Sequence, residues 1–95
     1  MAKSESQANQ TTIQYDQRVS GLGAGAFSGL QRRSIIVSNK DPNNALELRD
    51  ADDHVILTVF PETSITLPIS GSVEIYNPGA SAVALNVSEL WWENP

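Results

Sequence analysis

The chain has no cysteine and one histidine in 95 residues. The first absence excludes disulfides and thiolate metal sites, and the second excludes a histidine-rich zinc centre. No run comes near the roughly 20 consecutive apolar residues that a membrane-spanning helix needs, so no membrane partner is expected. The first ten residues, Met1 to Gln10, carry Lys3 but no apolar stretch. They do not read as a secretion signal, and export by the general secretory route is not expected. Positive charge is scarce as well. Residues 41–95 hold Arg49 against nine acids, a net −8, while residues 1–40 hold five cations against two acids, a net +3, for the overall −5. Nucleic acid is not expected as a partner, because phosphate binding needs a dense basic face.

At this length the chain makes one domain at most, and small domains without disulfides or metals gain stability by oligomerising or docking on something larger. Helical periodicity is also missing; what is present alternates. Ser34–Ser38 is short and β-branched, Ala45–Arg49 alternates, and in His54–Phe60 Val55, Leu57 and Val59 share one face. Ser64–Ile69, Ser72–Tyr76 and Ala82–Ser88 alternate again. Between them lie runs of turn formers: Asn39–Asn44, Asp50–Asp53, Pro61-Glu62, Ser70-Gly71 and Asn77-Pro78-Gly79. This spacing predicts an all-β fold, a small antiparallel sandwich or jelly-roll-like barrel of about six strands over residues 33–95. In the last run Val83, Leu85 and Val87 are inward. Glu89 then occupies the next inward position, so a bulge there or a departure of the strand from the core is expected.

Residues 1–32 have a different character. The leader is polar and without period, and Gly21, Gly23, Gly25 and Gly29 interrupt the stretch that follows. It reads as a flexible, Gly-rich arm with sparse apolar pegs: Ile13, Tyr15, Leu22, Phe27 and Leu30.

Catalytic signals are weak. Gly21–Ala26 fits G-x-G-x-x-A, but the dinucleotide fingerprint needs a strand before it and a helix after it. Asp50, Asp52 and Asp53, with Asp41, Asn43 and Asn44, offer oxygens for calcium, yet hairpin turns recruit the same residues for local hydrogen bonds. His54 has no nucleophile in a recognisable setting. Neither enzyme activity nor a cofactor or metal is expected. Trp91 and Trp92 are adjacent on a strand, so they point to opposite faces and cannot both fill one two-layer core. One reading offers an indole to a protein partner, another folds the tail over both, and a third makes them a sugar platform.

The succession Leu46–Leu57, Ile65–Gly79 and Ala82–Trp92, with short strands, an Asn-Pro-Gly turn and an arm before the barrel, resembles small bacteriophage virion proteins of the capsid cement (decoration) type. That resemblance implies a structural protein on the capsid surface. It would be a homo-oligomer, trimeric by preference, bound to the major capsid protein or other virion subunits. Ile13, Tyr15, Leu22, Phe27, Leu30, Trp91 and Trp92 would then be the partner-binding residues. The alternative is a ligand- or carbohydrate-binding module such as a phage fibre or receptor-binding tip.

Overall fold

The structure, a computed structural model, describes residues 2–7, 12–22, 30–69 and 71–93. Eight strands follow one another: β1 (Ala2–Gln7), β2 (Gln17–Leu22), β3 (Leu30–Asn39), β4 (Leu46–Arg49), β5 (Val55–Val59), β6 (Ser64–Leu67), β7 (Val73–Asn77) and β8 (Leu85–Glu93). Every pairing between them is antiparallel. One sheet runs β1-β8-β3-β6 and the other β2-β7-β4-β5. The chain therefore changes sheet at every connection except the β4–β5 hairpin, the wrapping of a jelly roll.

The all-β expectation holds, and the six strands read between residues 33 and 92 are β3 to β8. The additional two come from the stretch read as an arm, which supplies β1, β2 and the start of β3; a boundary at 32/33 falls inside β3. Glycines and sparse apolar residues give that stretch no local drive to fold. Partner strands supply it, since β2 pairs with β7 from Gln17↔Asn77 to Leu22↔Val73. Further upstream, β1 runs along β8 from Ala2↔Glu93 to Gln7↔Ser88, and Ile13 bridges Val83.

The period of two places the core. Ile35 and Val37 of β3, Leu46 and Leu48 of β4, Val59 of β5, Val73 and Ile75 of β7, and Leu85 and Val87 of β8 are all buried between the sheets, with Val83 and Ile13 beside them. Partly covered Val19, Leu57, Ile65, Leu67 and Ile69 pack on this cluster. Glu89 keeps the inward phase of β8, at 6% exposure, and pairs with Ile35. Neither a bulge at Glu89 nor an exit from the core occurs. The register shift sits opposite, on β3 between Arg32 and Ser34, so the neighbouring strand absorbs the irregularity.

Turn chemistry sets the connections. Asp41 Oδ2 accepts from the Asn43 and Asn44 amides at 2.9 and 2.6 Å. In the β4–β5 hairpin the Asp53 amide donates to the Asp50 carbonyl at 3.1 Å and Asp53 takes φ 66°. The register then shifts between Leu48 and Arg49, which pair with Leu57 and Val55, so Ile56 is an extra residue on β5, as expected beside a turn ending in a left-handed residue. Between β5 and β6, Pro61 fixes one corner and Glu62 takes the next at φ 58°.

Candidate functional site

The space between the sheets is filled by branched aliphatic side chains, and the one histidine lies outside it. His54 has a side chain 78% exposed, with Nδ1 3.4 Å from Asp50 Oδ2. Ligand atoms of Asp50, Asp52 and His54 lie within 4.8 Å of one another. The central carboxylate is already employed, because Asp50 Oδ1 accepts from the Asp52 and His54 amides, both at 2.9 Å. These bonds, His54's first, hold the Asp50 carboxyl below the usual carboxylate range. The Asn43 amide, with the Asn44 amide and side chain, does the same to Asp41. Both loops use their oxygens as turn acceptors, the competing role that the sequence already offered. An open surface depression is lined by Asn39, Lys40, Pro42, Glu62 and Ser64, among others.

Chemistry concentrates instead on the outer face of the β2-β7-β4-β5 sheet. The register sets Arg18, Tyr76 and Glu47 in one row across β2, β7 and β4. The Arg49 guanidinium lies over the Tyr76 ring at 3.9 Å and Arg18 approaches it at 5.4 Å. Arg49 donates twice to Glu47 Oε1, at 2.9 and 2.6 Å. Arg18 pairs with Asp53 and stands 3.7 Å from Glu74. The Tyr76 hydroxyl donates to Asp16, a bond that raises its pKa. This face is a closed set of paired charges around one aromatic ring, and it joins β2 to the strands beside it.

The residues expected to bind partners do not form one surface. Ile13 is 3% exposed and belongs to the chain's own core, so its side chain is spent within this molecule. Its burial follows from the bridge to Val83, a contact 70 residues away in sequence that no local pattern announces. Tyr15 is 60% exposed in the turn before β2. Leu22 ends β2 and Leu30 begins β3, paired with Glu93. Phe27 lies outside the described residues. Trp91 and Trp92 stand in β8 between two neighbours, opposite Ser4 and Lys3 of β1 and Arg32 and Gln31 of β3. Leu30, Trp91 and Trp92 thus share one end of the first sheet, while Ile13 and Tyr15 lie elsewhere.

Sequence reading missed the buried asparagines. Asn77, fully buried, uses Nδ2 to reach the carbonyls of Gln14 at 3.0 Å, Ser81 at 2.8 Å and Ile13 at 3.3 Å, while Oδ1 accepts from the Gly79 amide. Asn39, at 2% exposure, donates to the carbonyls of Asn44 and Val59 and accepts from the Asp41 amide. Their inward phase, two residues beyond Val37 and Ile75, was the available signal.

Together these features define a jelly-roll domain with a solid interior and a worked outer surface. No family model matches the sequence, and no curated protein does. Among solved structures the chain is similar to a Bacillus endospore appendage protein, described as belonging to a novel family of disulfide-linked pili. The TM-score is 0.62 at 7% identity, over 99% of this chain and 88% of that one. It is also similar to the Cupin_2 domain of an XRE family transcriptional regulator from Enterobacter cloacae, with TM-score 0.56 and 10% identity over the whole of both chains. At such identities the likeness shows a shared fold and nothing finer.

Proposed function

We propose that this chain is a structural subunit of a larger particle, with a capsid cement protein of a bacteriophage head as the leading assignment. The observation that carries the reading is the filled interior: among the described residues, eleven buried aliphatic side chains occupy the space between the sheets, so the outer surface is where the molecule does its work. The jelly roll is a framework that capsid proteins use, though lectins and cupins use it too. In this reading the body sits on the shell and several weak contacts per copy add up through avidity. The major capsid protein or another virion subunit is the partner, and Tyr15, Trp91 and Trp92 remain the aromatic residues proposed for contact.

A second assembly reading, a subunit of a bacterial surface filament, is favoured by the likeness to the endospore appendage protein. That protein's pili are described as disulfide-linked; a chain without cysteine would make its joints non-covalently. One experiment addresses both. Particles and filaments released by cells that make the chain are separated on a density gradient and probed with an antibody to it. The cement reading expects the chain in the band of intact heads, and the filament reading expects it in a fibrous fraction. If it is found only as free protein, both readings fail.

A further inference from the structure

We infer that the tip of the β4–β5 hairpin is a metal site, at which Asp50, Asp52 and His54 together hold one divalent ion of the imidazole-binding kind, zinc(II) being the example. The inference goes beyond the assembly reading and holds whether or not the chain belongs to a particle.

Local structure brings the three side chains together. Arg49 pairs with Val55 at the end of the hairpin, and one step further on the Asp50 amide donates to the His54 carbonyl at 3.0 Å. Residues that face each other across antiparallel strands carry their side chains on the same side, so Asp50 and His54 stand next to each other. Asp52 lies in the loop between them. Its amide and that of His54 both donate to Asp50 Oδ1, each at 2.9 Å. Closing the turn thus occupies one oxygen of the Asp50 carboxylate. The other, Oδ2, is turned to the imidazole and lies 3.4 Å from His54 Nδ1. The turn uses the backbone of Asp52 and His54, and their side chains are not part of its hydrogen bonding. Asp53, the remaining acid of the tip, is drawn off by Arg18.

Distance and chemistry both suit such an ion. Zinc sits about 2.0–2.2 Å from an imidazole nitrogen or a carboxylate oxygen, which puts two donors of a tetrahedral ion about 3.4 Å apart. The Asp50 and His54 donors already stand at that separation. All three donor atoms lie within 4.8 Å of one another, and the exposed Asp52 side chain closes the rest by turning about its own bonds. Two carboxylates and a neutral imidazole balance the charge of a divalent ion. The nitrogen decides between metals: imidazole suits zinc, copper and nickel, whereas calcium and magnesium take shells of oxygen. Three protein donors leave the remaining position to water. With its side chain 78% exposed, His54 is open to an ion arriving from solvent.

The test uses the untagged full chain, freed of metal by chelation. With one histidine and no cysteine in the chain, every imidazole signal belongs to His54, and no thiolate or second imidazole competes. Calorimetric titration with zinc chloride should show one ion per chain, with a Kd between about 1 μM and about 1 mM. The His54 Nδ1 resonance should shift as the ion loads. Calcium and magnesium should bind at least about tenfold more weakly. His54→Gln and Asp52→Asn keep both amides that hold Asp50, so the thermal midpoint without metal should stay at the parent value. Zinc affinity should fall in each by at least about tenfold, no less than the loss of an outer-shell partner costs. A parent protein that binds no zinc up to about 1 mM overturns the inference. So does zinc that leaves the His54 resonance in place, or calcium bound as tightly as zinc. Binding that survives His54→Gln or Asp52→Asn at the parent affinity overturns it as well.

Discussion

At the scale of single residues, two buried side-chain amides do what no aliphatic residue could. Asn77 sits where the inward row of β7 meets the Asn-Pro-Gly turn, and its Nδ2 hydrogens serve the carbonyls of Ile13, Gln14 and Ser81. Its own carbonyl accepts from the Asp16 amide at 2.8 Å. One residue thus fastens the segment before β2 to the loop before β8. Replacing Asn77 by Ala would leave buried carbonyls without their donor. Each net hydrogen bond is worth about 1 kcal/mol, and each orphaned buried group costs about 1–3 kcal/mol. We expect Asn77→Ala to lower stability by about 3 kcal/mol, a fall in midpoint of roughly 12–24 °C for a domain of this size, read by calorimetry. A loss below about 1 kcal/mol would mean that water replaces the amide. Asparagine in a turn-rich stretch reads as an exposed turn former because it is mostly exposed in proteins. Only the alternation with Val73 and Ile75 pointed inward, and polarity masked that signal.

At the scale of elements, the strands with their own alternation were legible and the strands that depend on a partner were not. β4 and β7 have clean patterns, Leu46 and Leu48 in the one, Val73 and Ile75 in the other, and flanking turn residues mark their ends. β1 is Ala-Lys-Ser-Glu-Ser-Gln, with no apolar face at all. It is a strand by virtue of the ladder that β8 offers, and that is tertiary information. The bridge from Ile13 to Val83 and the β2–β7 pairing are non-local in the same way. Magnitudes decide what holds the β2 segment in place. The Arg18–Asp53 pair is 37% and 51% exposed, and pairs of that kind contribute about 0.2–1 kcal/mol. Ile13 is 3% exposed within the core, where truncation of isoleucine to alanine costs about 2–5 kcal/mol. Ile13→Ala should therefore destabilise the whole domain by about 3 kcal/mol, while Arg18→Ala should change stability by less than about 1 kcal/mol. Urea unfolding of both variants tests the ranking. If Ile13→Ala unfolds at the parent midpoint, the residue is a peg for some other surface after all.

For the whole molecule, size alone suggested a domain that needs company to fold. The accessible surface is 5352 Å², close to the roughly 5,400 Å² that a folded monomer of this mass exposes. One copy therefore hides as much of itself as an ordinary globular protein of its mass. Its weak point is acid. Asp41 and Asp50 are each held below the usual carboxylate range, by the Asn43 amide first in one case and the His54 amide first in the other. A carboxylate depressed in the folded state binds its proton more readily in the unfolded chain. Its contribution is complete above the unfolded pKa of about 4 and disappears as pH falls through the lower folded value. Both residues close turns between strands, Asp41 after β3 and Asp50 between β4 and β5, so protonation loosens connections rather than the core. The thermal midpoint should be level from neutrality down to about pH 5 and then decline toward about pH 2. The double variant Asp41→Asn, Asp50→Asn should be less stable than the parent at pH 7, yet decline less steeply in acid, so that the two curves converge at low pH. Parallel curves with the same acid slope would show that other carboxylates carry the pH dependence and that these two turns are passive.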